Sequence, residues 1–371
     1  MTTKPIGLYL HVPFCVRKCN YCDFCSYREA DIPISVREAY IDALVTEIRG
    51  YQRMKRISVD TIFFGGGTPS LLEPRELDKI FGAISSTFDI CPSAEITLEA
   101  NPGTLTEQKL ECYKIVGVNR LSIGLQSIHE NELKKLGRIH LYDDFLESYK
   151  TARMLGFDNI SVDLMYGIPE QSLKSFAETL DTVIALSPEH ISAYGLIVEE
   201  ETPFYTMRDR LVLPTEDEEC DMYDLAVSKL SAAGYSHYEI SNYARQGRAS
   251  RHNLHYWRRE EYIGVGVAAH SYFCGARYSN APSLDAYLRG DSREYDTDTD
   301  ASFERAMLAL RLAEGLSLSE YESEFSHSFL DGREASVSRY VSLGYMKLEG
   351  ECLALTDSGM YVSNAILSDL L

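Results

Sequence analysis

The sequence predicts an α/β protein, a helix-covered parallel sheet followed by a smaller, mostly helical, winged-helix-like domain. Three observations carry this. Short apolar runs alternate with amphipathic stretches six times over the first two hundred residues. From Ser302 the pattern changes to three helices, two short strands around Met346–Leu355 and a last helix. The balance of 45% apolar and 25% charged residues in 371 is that of a folded soluble chain, long enough to bury a large core without staples.

The predicted strands are Ile6–His11, Thr61–Phe64, Glu95–Ala100, Arg120–Leu125, Asn159–Met165 and His190–Val198, all rich in Ile, Leu, Val and Tyr. The first helix shows Ile41, Leu44, Val45 and Ile48 at i, i+3, i+4 and i+7, with Ser35 and Glu38 spaced as a capping box. Further helices are expected at 74–89, 107–115, 142–155 and 172–186. Strands separated by helices run parallel with right-handed crossovers. The result is an open doubly wound sheet or a barrel, complete or partial. After Glu199 the pattern loosens. Glu199–Glu201 and Glu216–Asp221 read as solvated loop and helix start, and a polar, Tyr-rich stretch runs to about residue 300. The expected units are a core at 1–235, an associated extension at 236–300 and a C-terminal domain at 301–371.

Charge narrows the function. Lys and Arg number 36 against 56 Asp and Glu, a net charge of −20. Such a surface repels nucleic acid and anionic lipid. The winged-helix-like C-terminal segment, residues 300–371, has 5 basic and 12 acidic residues, which opposes DNA binding there. No run approaches the ~18 apolar residues of a membrane span, and Met1–Pro5 reads straight into a strand with no signal peptide. The expected address is cytoplasmic, with peripheral membrane association only through a partner. Nine Cys, four of them within eleven residues, point to metal or redox chemistry before disulfides.

That cluster is Cys15-Val-Arg-Lys-Cys19-Asn-Tyr-Cys22, just after the first strand. Three thiolates can hold three irons of a [4Fe–4S] cluster and leave the fourth open to another ligand. The alternative is a structural zinc site using the same three with Cys25 or His11, although zinc modules usually bring two separated ligand pairs. Gly65-Gly66-Gly67-Thr68-Pro69 follows the second strand, where glycine lets backbone approach a ligand. Glu99, Gln126 and Asp163 fall at or near the ends of later strands, the position that lines active sites in parallel barrels.

Together these motifs resemble the radical S-adenosylmethionine (SAM) superfamily, and within it the group of oxygen-independent coproporphyrinogen III oxidases and related heme chaperones. The carriers are Tyr9-Leu-His11-Val-Pro-Phe-Cys15 through Phe24, Gly65–Ser70, Glu99–Pro102, Ser122–Gln126, Leu136–Arg138, Asp163–Pro169, His190–Tyr194, Tyr238–Tyr243, His252–Trp257 and Leu355–Gly359, spanning nearly the whole chain. The resemblance implies a partial (β/α)6 barrel. Cys15, Cys19 and Cys22 would ligate the cluster. Tyr9, Gly66, Gly67, Thr68, Glu99, Gln126, Arg138 and Asp163 would contact SAM. Arg138 suits the SAM carboxylate and Asp163 or Glu99 the ribose hydroxyls. An electron donor would reduce the cluster, splitting SAM to methionine and a 5′-deoxyadenosyl radical.

Oxidase and chaperone are then the two readings. The oxidase pattern carries a further Cys two residues after the third. Phe24 stands there in this sequence, and Cys25 is one residue later. The oxidases also carry a longer stretch ahead of the cluster. Both features favour a chaperone that binds heme and passes it to an acceptor hemoprotein. By the motif His252-Asn-Leu-His255-Tyr-Trp, His252 is the expected heme ligand, with His255 its rival. His270 is read as structural, and His11 as a brace for the cysteine loop. A plain electron-transfer protein is disfavoured by the glycine turn and the strand-end polar residues.

Overall fold

Period-two alternation along the predicted strands dictates the architecture. In the computed structural model, which describes residues 4–54, 56–297 and 300–371, the six expected strands all form. They are β1 (Ile6–Val12), β2 (Ser58–Gly66), β3 (Asp89–Ala100), β4 (Arg120–Gln126), β5 (Ile160–Tyr166) and β6 (His190–Gly195). Each is parallel to the next. Met1–Thr3, at the head of the expected first strand, lie outside the described residues. Between the strands run α1 (Ile34–Gly50), α2 (Pro74–Thr87), α3 (Glu107–Ile115), α4 (Glu130–Leu136), α5 (Tyr142–Met154) and α6 (Leu173–Leu186). Helix α1 buries Tyr40, Ile41, Leu44, Val45 and Ile48 against the sheet.

Three expectations are corrected. Helix α1 begins at Ile34 with Pro33 at its N-cap and no side-chain cap, so Ser35 lies inside the first turn and no capping box forms. Helix α4 has no counterpart in the sequence reading. The last expected strand stops at Gly195, and residues 196–198 continue as a lip beside the sheet's carboxyl end.

The Tyr-rich stretch holds more sheet than its composition suggests. After α7 (Glu216–Ala232), strands β7 (Ser236–Glu239) and β8 (Asn242–Ala244) add antiparallel to the β6 side. Helix α8 (Arg251–Trp257) follows, then β9 (Tyr262–Val265), which pairs parallel with β1. Strands β10 (His270–Phe273), β11 (Ala276–Ser279) and β12 (Glu294–Asp296) extend that side antiparallel. The order is β12-β11-β10-β9-β1-β2-β3-β4-β5-β6-β8-β7, twelve strands in an open, curved array rather than a closed barrel. Strand β9 is short and follows the charged run Arg258–Glu261, which hides it from pattern reading.

The C-terminal segment packs α9 (Ala301–Ala309), α10 (Leu318–Phe325) and α11 (Glu334–Ser342) on a small antiparallel sheet of Leu316–Ser317, Cys352–Leu355 and Met346–Glu349. It has an apolar cluster of its own around Leu310, Phe329, Val337 and Leu353, to which Tyr223 of α7 contributes.

Candidate cofactor site

One face of each parallel strand points inward, and the register sorts those side chains into layers. Lowest are Gly7, Thr61 and Glu95. Above them Tyr9, Phe63, Thr97 and Arg120 share a level. Next come Gly65, Glu99, Ser122, Ser161 and His190. Gly124, Asp163 and Ser192 lie above those, and Gln126 ends β4. The intervening residues, such as Leu121, Ile123, Leu125, Val162 and Leu164, are fully buried. A cavity of ≈ 570 Å³ opens inside, lined by Tyr9, Cys15, Cys19, Cys22, Gly66, Gly67, Thr68, Glu99, Gln126, Arg138 and Asp163. The structure therefore brings together every sequence-predicted site residue except His252.

The cysteine loop is fastened at several points. Phe14–Cys15 pairs with Tyr27–Arg28, and the Tyr27 N–H donates to the Pro13 carbonyl at 2.7 Å. Asn20 donates through its backbone to Leu136 O at 2.9 Å and through its side chain to Lys135 O at 2.8 Å. The His11 Nε2 donates to the Cys25 carbonyl at 2.7 Å, which leaves Nδ1 to accept from Tyr9 Oη at 3.0 Å. Burial lowers the His11 pKa, so the ring is neutral as this pattern requires.

The glycine turn holds the other side. Gly67 N donates to Val12 O and Thr68 N to Phe14 O, each at 2.8 Å. A Cβ on Gly67 would lie 2.7 Å from Phe14 O and 3.0 Å from Cys15 Sγ. At Gly66, with φ +107°, it would strike the His11 ring at 2.6 Å. Thr68 accepts from Asn101 Nδ2 at 2.8 Å and donates to Cys15 Sγ at 3.6 Å.

Three thiols line the cavity and the fourth candidate does not. Cys25 Sγ faces Pro282 O at 3.5 Å and Tyr27 Oη at 3.7 Å. Among the described residues, no three His, Cys, Asp or Glu groups converge as one metal ion requires. Burial raises the Cys15 thiol and pushes that of Cys22 up to about 11, so each keeps its proton until a metal replaces it.

Arg138 Nη2 donates to Asn101 Oδ1 and Gly124 O, both at 2.6 Å, and Nη1 lies 3.6 Å from Cys19 Sγ. Gln126 adopts φ 69°, an unusual conformation for a residue with a side chain, at a register shift in β4. Asp163 accepts from Ser122 Oγ at 3.1 Å, Ser192 Oγ at 2.9 Å and Ser161 Oγ at 3.3 Å. Glu99 accepts from Gly66 N at 3.2 Å. Burial, and then the neighbouring Asp163, push the Glu99 carboxyl up to about 8.

His252 lies elsewhere. On α8 its Nδ1 is 2.8 Å from Thr61 Oγ1 and its Nε2 is 2.7 Å from Tyr256 Oη. The ring is 1% exposed and stacks on Phe63 at 5.1 Å. Burial holds it neutral, so one nitrogen donates and the other accepts, and neither is free. Glu95 Oε1 accepts from the Arg251 and His252 N–H groups at the helix start. His255 Nε2 pairs with Asp60 Oδ1 at 2.9 Å. The HNLHYW helix thus plugs the amino-terminal end of the strands, and its Asn253 reaches the cavity.

Sequence reading gave no site role to Arg120, Ser122, Ser161, His190, Ser192 and Tyr194, although four of them fall within the motifs Ser122–Gln126 and His190–Tyr194. The signal was present: Arg120, Ser122, Gly124 and Gln126 alternate with Leu121, Ile123 and Leu125.

Residues 9–183 match the radical SAM superfamily and residues 296–362 the HemN C-terminal domain. The heme chaperone HemW of Bacillus subtilis is 37% identical over 98% of both chains. That of Escherichia coli is 34% identical over 98% of this chain and 97% of its own. In fold, the chain matches the E. coli coproporphyrinogen III oxidase HemN with a TM-score of 0.83, over 99% of this chain and 90% of that one, at 23% identity. Among the described residues, no helix is long and apolar enough to cross a membrane. Superfamily membership implies a [4Fe–4S] cluster and SAM as cofactors. With full-length relatives this similar, the chain belongs to the heme chaperone HemW family of the radical SAM superfamily.

Proposed function

We propose that this chain binds heme and passes it to an acceptor hemoprotein, with a [4Fe–4S] cluster on Cys15, Cys19 and Cys22 and SAM beside it. The carrying observation is one cavity that combines three thiols with an apolar mouth. Phe24 and Ile197 stand there 60% and 67% exposed, and both line the opening. Exposed apolar side chains around a concave site mark a place for an apolar partner, and a porphyrin face is one.

The chain's own groups have distinct tasks. Gly66 and Gly67 keep side chains out of the cofactor's path and offer backbone to the SAM ammonium. Arg138 takes its carboxylate. Glu99 and Asp163 serve the ribose hydroxyls. Tyr9, Thr68 and Gln126 complete the wall. When bound, the cluster and SAM supply one-electron chemistry, fed by an external electron donor. His252 spends both nitrogens on Thr61 and Tyr256, and we read its task as holding the plug rather than ligating heme.

The test is anaerobic, on the cluster-reconstituted protein. Heme titration should give a saturable Soret band whose position is unchanged in His252→Gln. A parallel incubation with coproporphyrinogen III, SAM and reductant should form no protoporphyrinogen. Product formation that disappears in Cys15→Ala would establish the oxidase instead.

A further inference from the structure

Arg120 is a buried cation. The residue is 2% exposed at the start of β4 and lines the inner cavity. Its Nε is buried without a hydrogen bond. Taking an unpaired guanidinium out of water is costly. Every other charged or imidazole group on the inner wall has found partners: Asp163 has three serine hydroxyls, and His190 has Ser161 Oγ at 2.7 Å and Tyr238 Oη at 2.8 Å. Arg138 has Asn101 and Gly124.

A second vacancy adjoins it. Thr97 is the register partner of Arg120, and its Oγ1 is also buried without a hydrogen bond. Two unspent donors thus sit on neighbouring strands at one level, below the layer of Glu99 and above the α8 plug. Asn253 lines the same inner end with an amide. Glu99, one layer higher, feels the Arg120 charge, which pulls its carboxyl down against burial and Asp163, but its hydrogen bond goes to Gly66 N.

We propose that Arg120 is the anion-recognition group of a second ligand subsite at the inner end of the cavity, and that its ligand is an organic carboxylate. A planar guanidinium takes a carboxylate through two parallel N–H donors. The subsite is distinct from the carboxylate site at Arg138, which faces the cysteine loop on the far side of Glu99, although Tyr9 shares the level of Arg120. It does not depend on the heme reading, because any ligand reaching past the cofactors meets it.

The experiment uses the full-length protein with propionate as the minimal carboxylate probe and propionamide as its uncharged counterpart. Wild-type protein should gain thermal stability with propionate and not with propionamide, equally with and without saturating SAM. Calorimetric titration should show at least tenfold weaker propionate binding in Arg120→Met. Without propionate, Arg120→Met should unfold at the same temperature as wild type or higher, because it removes a buried charge. Arg120→Lys should retain part of the propionate effect. An equal propionate effect in Arg120→Met, or its loss when SAM is added, would overturn the proposal. So would a lower unfolding temperature for both variants without propionate, since it would reveal a structural partner for the guanidinium.

Discussion

The two ends of the parallel strands use the same residue types differently. At the amino end, His252, His255 and Glu95 are spent on one another's surroundings: Thr61, Tyr256, Asp60 and the backbone of α8. At the carboxyl end, three thiols, Glu99, Asp163 and Arg138 face an open cavity. A histidine in a memorable motif can therefore be fully engaged within the fold. Whether its nitrogens are already engaged decides what it can do.

The largest effect that would sharpen this contrast is at the loop. Replacing Cys15, Cys19 or Cys22 with Ser should abolish cluster absorbance and bound iron while leaving the far-ultraviolet circular dichroism unchanged. Next is the plug. His252→Ala leaves a buried void and two hydroxyls without partners, and should destabilise the fold by on the order of 3 kcal/mol. Below its unfolding temperature that variant should still take up full iron. Loss of iron together with normal stability would erase the distinction between the two ends.

Gly67→Ala should cost about 1–3 kcal/mol through overpacking and should also lower iron content, since the new methyl presses on Cys15 Sγ at 3.0 Å. Glu99 adds a pH signature. Its carboxyl holds a proton up to about 8 when folded, against an ordinary value of 4.5. Between those values the folded chain binds more protons than the unfolded one, so this group's contribution to stability falls as pH rises. Thermal unfolding of Glu99→Gln across pH 5–8 should show that decline removed. The smallest effect is at the rim: Phe24→Ser should weaken heme binding several-fold, as losing part of one apolar contact does, with iron content unchanged.

Much of this was legible in the residues. The six strands were visible because their outward faces are nearly continuous Ile, Leu and Val, and the cysteine loop because its ligands lie within eight residues of chain. The plug was not. That His252 lies over Gly7 and against Thr61 depends on a pairing across some 190–245 residues, and local spacing carries none of it. Strand β9 was hidden for a related reason. Four residues between a charged run and a glycine have little pattern of their own, and the strand exists because β1 offers it an edge.

That edge sets an order of events during synthesis. Strand β1, which carries the cysteine loop, gains its first neighbour at residues 58–66 and its second at residues 262–265. Until then the emerging chain presents an unpaired strand edge beside reactive thiols, and long-range pairing is the slow part of folding. A chain cut short of residue 262 would therefore hold the cysteine loop beside a strand paired on one side only.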